Sequence, residues 1–232
     1  MKTVPFDAGQ DLADSPRVGG RQRPKDAATL ILTRGNEVLM GRRAPGHVFM
    51  ASKWVFPGGR IDPSDFRAAS AADLSSDTAR RLGAELAPHR ARALALTAVR
   101  ETFEETGLIL GRPAPAASVV GPWREYRQAG ALPDLSVLTY VARAITPPGH
   151  SRRFDARFFM ASVEALRDPD NIVGSGELDE IAWLPVEEAM KIDLPSITRF
   201  VLAEVCERLN CPDRPLPFVR MVHGRHQIEH VD

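Results

Sequence analysis

Arg100-Glu101-Thr102-Phe103-Glu104-Glu105-Thr106-Gly107-Leu108 gathers three carboxylates toward one side of an expected helix and ends that helix on a glycine. On a wheel with Glu101 at zero, Glu104 falls at about 300° and Glu105 at about 40°, whereas Leu96, Val99 and Phe103 fall at about 220°, 160° and 200°. The spacing predicts an acidic face opposite an apolar one. Like charges three and four residues apart cost about 0.2–0.5 kcal/mol per pair, so a compensating cation is expected: Arg100, a bound metal or counter-ions. Gly107 is the expected left-handed cap. Two readings stay open on these residues alone, a solvated acidic face and a divalent-metal site. Mg²⁺ takes carboxylates, waters and phosphate oxygens together, which makes the second reading one of phosphate chemistry.

Upstream, Trp54-Val55-Phe56-Pro57-Gly58-Gly59-Arg60-Ile61-Asp62 reads as a short strand entering a glycine turn. The two segments together resemble the Nudix hydrolases, whose box runs Gly, five residues, Glu, seven residues, then Arg-Glu-U-x-Glu-Glu-x-Gly-U with U bulky and apolar. Gly59 matches the first glycine, and Arg100, Glu101, Glu104, Glu105, Gly107 and Leu108 match the second half. Asp65 stands at the position of the box glutamate, and Thr102 stands at an apolar position. Gly59 and Arg100 are 41 residues apart where the pattern has 14, so 27 residues are inserted. The resemblance continues through Arg152-Arg153-Phe154-Asp155-Ala156-Arg157-Phe158-Phe159 and Glu177-Leu178-Asp179-Glu180-Ile181-Ala182-Trp183-Leu184-Pro185. An insertion in the box followed by such a strand is similar to the coenzyme A diphosphatase branch.

The resemblance implies an α/β fold, a Nudix-like α/β/α sandwich with a mixed sheet and a helical insertion at about 67–92. It implies Mg²⁺ or Mn²⁺ held by Glu101, Glu104, Glu105 and the Gly59 carbonyl, with Glu101 either a ligand or the base. Arg100 would orient a glutamate, or be an ordinary intrahelical ion pair. Gly59 has a pure turn role as its alternative, and Asp65 either supports the loop or caps the next helix. Glu177 and Glu180 are candidates for the general base, against a solvated acidic loop. Guanidinium forks suit pyrophosphate oxygens, so Arg42, Arg43, Arg152, Arg153 and Arg157 are candidates for binding substrate. Trp54, Trp123, Trp183, Tyr126 and Tyr140 could stack on a base or serve the core. His47, His89 and His150 read as surface histidines.

The 232 residues, 44% hydrophobic, can bury a core without disulfides. Thirty basic and thirty acidic side chains cancel, which argues against nucleic acid or an anionic membrane as the main partner. Cys206 and Cys211 have no zinc spacing and read as structural thiols. The absence of a long apolar block predicts a cytoplasmic protein with no membrane partner. A poorly ordered segment is expected over 1–26 and a single domain over 27–232; assembly as a homodimer is left open. Strands are expected at Ala27 to Thr33, Glu37 to Gly41, Trp54 to Phe56, Val137 to Ile145, Phe154 to Ala161 and Glu180 to Leu184. Helices are expected between Asp62 and Leu86, over Arg90 to Thr106, around Arg124 to Ala129, over Val186 to Met190, and over Ser196 to Leu209. The last should gather Ile197, Phe200, Val201, Val205 and Leu209 on one face.

The expected activity is a metal-dependent pyrophosphohydrolase cleaving a nucleoside diphosphate linked to another moiety, with coenzyme A or acyl-coenzyme A the expected small-molecule substrate. The alternative is a non-catalytic Nudix-fold module that senses a ligand or binds a protein. A Ca²⁺-binding domain is disfavoured, because no Asp-x-Asp-x-Asp-Gly loop occurs.

Overall fold

The computed structural model describes residues 22–46, 50–150, 152–223 and 225–231. His47 and residues 1–21 of the expected N-terminal segment lie outside them. The apolar run at Ala27 forms the middle of β1 (Lys25–Arg34). Successive residues of a strand face opposite sides, and here both sides are covered. Ala28, Leu30 and Leu32 join one core, and Ile31 joins another.

The sequence continues with β2 (Glu37–Arg43), β3 (Trp54–Val55), β4 (Gly58–Arg60), α1 (Ser76–Gly83) and α2 (Pro88–Thr106). After β5 (Gly111–Pro113), α3 (Arg124–Gln128) and β6 (Ala131–Pro133) come β7 (Thr139–Ile145), β8 (Phe154–Ser162) and β9 (Leu178–Pro185). The chain ends in α4 (Val186–Ala189), α5 (Ser196–Asn210), β10 (Leu216–Val222) and β11 (Arg225–Val231). Nine strands form one sheet in the order β11-β10-β7-β8-β1-β2-β3, with β4 also on β1 and β9 on β2. The β1–β8 and β7–β10 pairs are parallel and the rest antiparallel, so the sheet is mixed. Leu94, Leu96 and Val99 of α2 pack on Tyr140 and Phe159 on one face. Val201, Leu202 and Val205 of α5 pack on Val141 and Phe158 on the other. The result is the expected α/β/α sandwich.

Several expectations are corrected. Residues 62–75 are turns rather than helix, and only Ser76–Gly83 is helical before α2. Their backbone groups are engaged elsewhere: Ala71 N–H donates to Pro133 O (2.7 Å), and Ala72 O accepts from Leu135 N–H (3.2 Å). The helix expected from Arg90 starts two residues earlier, at Pro88, which opens α2, where its missing N–H costs nothing. Leu209 is 46% exposed, and Leu202 is buried in its stead. His150 is buried rather than on the surface. The β10–β11 hairpin was not expected from the sequence; β10 is mostly buried but β11 is polar and largely exposed, so it lacks an apolar alternation. Among the described residues no helix is long and apolar enough to cross a membrane.

Candidate functional site

The last turns of α2 carry Glu101, Glu104 and Glu105, and Gly107 closes the helix at φ +73°, its N–H donating to Phe103 O at 2.8 Å. β4 lies between this helix and β1, with Gly59 opposite Ala28 and Gly58 opposite Thr29. Both glycines answer to close approach. A Cβ on Gly58 would meet Ala28 O at 2.6 Å, and one on Gly59 would overlap the Glu101 carboxylate. The separation between the two halves of the box in sequence therefore closes to direct contact between Gly59 and Glu101.

Arg100 is 4% exposed and organises the acids. Its Nε and Nη2 donate to Asp65 Oδ1 (2.9 Å) and Oδ2 (3.0 Å), and Nη2 also donates to Arg60 O (3.0 Å). Its Nη1 donates to Glu101 Oε1 (2.8 Å) and Glu104 Oε2 (2.9 Å). The intrahelical pair with Glu104 is present, and the same guanidinium also reaches Glu101 and Asp65. Asp65 is fully buried. It accepts further bonds from Thr97 Oγ1 (2.8 Å), Trp123 Nε1 (2.9 Å) and Asp62 N–H (2.9 Å), so it supports the loop and caps no helix.

Glu105, placed by the wheel on the acidic face, is only 3% exposed because the glycine turn lies over it, and its Oε2 accepts from Gly58 N–H at 3.1 Å. Burial, then Glu177 and Glu101, push its carboxyl well above the ordinary range against the pull of Arg43. Burial likewise raises Glu101 and Glu104, with Arg100 opposing in each case. The acids therefore have less positive charge around them than they demand. Hard oxygen donors short of positive charge suit a divalent cation. As the side chains stand, among the described residues no three His, Cys, Asp or Glu converge to hold one; Glu101 and Glu104 lean on Arg100 instead.

A cavity of about 830 Å³ opens beside the cluster, lined by Glu101, Arg100, Gly58, Gly59, Arg43 and Glu177 at this end. Glu104 and Glu105 are not in its lining. Glu177 is exposed and 3.9 Å from Arg43 Nη2. Glu180 is drawn away: it faces Arg42 across the β2–β9 ladder and pairs with it at 3.2 Å, while Arg42 Nε donates to Asp179 Oδ1 at 3.1 Å. Of the two base candidates the structure brings only Glu177 to the acids.

The arginine candidates divide in the same way. Arg43 and Arg152 line the cavity, and Arg42 does not. Arg153 donates to Thr146 O (3.0 Å) and Gln22 O (2.6 Å) and so holds backbone. Arg157 is 1% exposed and paired with Asp26, Glu85 and Asp155, which corrects its assignment to substrate. Trp123 donates to Asp65, Tyr126 to Leu110 O and Tyr140 to Glu85, while Trp183 lies under the Arg34 guanidinium; these four have structural partners. Sequence reasoning missed Lys25, Arg60, His150 and His226, which also line the cavity. Arg60, next to Gly59, carried the one available signal.

No family model matches the chain. It is 28% identical to the acyl-coenzyme A diphosphatase NUDT19 of Gallus gallus over 67% of this chain and 55% of that protein. It is 26% identical to the putative nudix hydrolase 7 of Caenorhabditis elegans, over 72% of this chain and 53% of that one. The chain thus spans about half the length of the curated relatives it matches. Among solved structures, a NUDIX hydrolase from Alicyclobacillus acidocaldarius is similar with a TM-score of 0.60 and 29% identity, covering 79% of this chain and 91% of that one.

Proposed function

From the premise that this chain is a Nudix-superfamily protein in fold and in box residues, we propose that it is a divalent-metal-dependent diphosphatase acting on a nucleoside diphosphate linked to a second moiety. The observation that carries the reading is the charge imbalance at the end of α2. Glu101, Glu104, Glu105 and Glu177 gather around Arg100 and Arg43, and Glu105 is almost wholly buried there. Glu101, Glu104, Glu105 and the Gly59 carbonyl would hold Mg²⁺ or Mn²⁺. Bound there, the ion would offset phosphate charge and make a water more acidic.

The chain's own residues supply the rest. Arg100, fixed by Asp65, sets the positions of Glu101 and Glu104. Arg43, on the cavity wall, grips pyrophosphate oxygens, and Arg152 lines the same cavity. Glu177 stands at the cavity, exposed and only loosely paired with Arg43 at 3.9 Å, where it takes the proton of the attacking water. The diphosphate is that of coenzyme A or an acyl-coenzyme A, a choice supported by the insertion and by the similarity to a protein of that activity.

The test is hydrolysis of coenzyme A, ADP-ribose, NADH and dGTP at equal Mg²⁺, with products identified by mass. Cleavage within the diphosphate and the highest kcat/KM for coenzyme A are expected. A preference of about tenfold or more for dGTP, about 1.4 kcal/mol in transition-state binding, would sink the coenzyme A assignment and leave the diphosphatase. Cleavage of none would make the fold a binding module.

A further inference from the structure

Lys25 and Arg60 have no part in the chemistry above, yet both line the cavity, and strand register explains why. The cavity floor is one face of the sheet. Gly58 and Arg60 of β4 lie opposite Thr29 and Ala27 of β1; Lys25, Ala27 and Thr29 lie beside Phe154, Ala156 and Phe158 of β8. Ala156 lies beside Ala144 of β7, and Ala144 beside Val219 of β10. Every one of these residues lines the cavity. Since alternate residues share a face, Lys25 and Arg60 stand on that floor as diagonal neighbours, about 7–8 Å apart. Arg152 lines the same end, two residues before Phe154.

Charge separates these three from the other cavity cations. Arg43, Arg90 and Arg100 each face a carboxylate. Lys25, Arg60 and Arg152 are exposed, and among the described residues none makes an ion pair. The acids nearest in sequence are engaged: Asp26 by Arg90 and Arg157, Asp62 by Ser64 N–H and Oγ. The cavity is therefore acidic at one end and basic at the other. Gly58, the donor to Glu105, lies opposite Thr29, four positions from Lys25. That is about 13 Å of strand.

We propose that Lys25, Arg60 and Arg152 form a second anion subsite, which takes a phosphomonoester carried on the nucleoside of the substrate. This rests on the diphosphatase reading, with Arg152 at the basic end rather than on the diphosphate, and it narrows the substrate to a nucleoside diphosphate ester with an additional ribose phosphate. An ammonium and two guanidinium forks suit a phosphate dianion, and a cavity wall of one sign concentrates its counter-ion.

Calorimetric titration of the metal-free protein with adenosine 3′,5′-bisphosphate and with AMP tests the subsite without turnover. The bisphosphate should bind about tenfold tighter or more. In the triple variant Lys25→Gln, Arg60→Gln, Arg152→Gln the ratio should fall to about twofold or less. Equal binding by the wild type, a ratio unchanged in the variant, or binding of neither ligand would overturn the subsite. Because no bond is cleaved, such a failure leaves the diphosphatase reading standing. Conversely, a protein that cleaves no diphosphate but keeps the ratio would retain the subsite and lose the activity.

Discussion

Two clusters of charge lie within this molecule, and they are built oppositely. At the junction of β1, β7, β8 and the insertion, Arg90, Arg143 and Arg157 meet Asp26, Glu85 and Asp155, three bases against three acids, with the Tyr140 hydroxyl donating to Glu85 at 2.6 Å. At the end of α2, Asp65, Glu101, Glu104, Glu105 and Glu177 have, among the described residues, only Arg100 and Arg43. Burial is comparable, since Arg157 and Glu105 are each nearly inaccessible. Balance distinguishes them. A buried network that matches its charges ties elements together. One that leaves carboxylates short of counter-charge is poised for a cation from outside.

The largest effect is expected in the balanced cluster. Arg157→Met leaves Asp26, Glu85 and Asp155 with one base fewer inside the fold, which should cost about 3–5 kcal/mol of stability. The loss should be read in denaturant midpoints rather than in turnover per folded molecule. An unchanged midpoint with lost turnover would return Arg157 to the substrate site and erase the distinction.

Glu105→Gln should do the reverse. Turnover should fall at least about 100-fold, because a proposed ligand loses its charge while keeping its shape. Stability should hold or rise, and the pH dependence gives this a sign. Burial first, then Glu177 and Glu101, raise the folded Glu105 carboxyl. The folded state therefore holds this proton more tightly than the unfolded one. Its contribution to stability is present on the acid side and is lost as pH rises from the ordinary carboxylate value through the folded one. The melting temperature of metal-free Glu105→Gln should thus gain on wild type across that window and then level off. A gap that stays constant with pH would mean that the carboxylate is already compensated.

The sequence made the unbalanced cluster legible and the balanced one opaque, for a physical reason. Helical periodicity and one glycine cap place Glu101, Glu104 and Glu105 on adjacent turns of α2, and the box resemblance brings in Gly59 from far upstream. Arg157 looks like any other arginine on a strand; only the parallel register of β1 with β8 sets it near Asp26. The same holds for Lys25 and Arg60, whose meeting depends on the β1–β4 pairing. The alanine content of 62–75 predicts helix because it reports propensity, while the anchors that prevail there, Asp65 to Arg100 and Ala71 to Pro133, are long-range.

Asp65 is where the two kinds of cluster meet, and the smallest prediction sharpens that boundary. It belongs to the acids by position but is saturated, accepting from Arg100 twice, from Thr97, from Asp62 N–H and from Trp123. Trp123→Phe removes one donor and keeps an aromatic ring against Tyr126, whose centroid lies 5.3 Å away. A bond to a charged group contributes about 1.5–3 kcal/mol, and four remaining donors put the expected stability loss at the low end, about 1.5 kcal/mol. Turnover should fall by less than about tenfold, since Arg100 still spans Asp65, Glu101 and Glu104. Unfolding midpoints and kcat measured on the same preparation decide it. If stability were untouched and kcat fell about 100-fold, the indole bond would be setting the acids through Arg100, and Asp65 would belong with the functional cluster rather than with the scaffold.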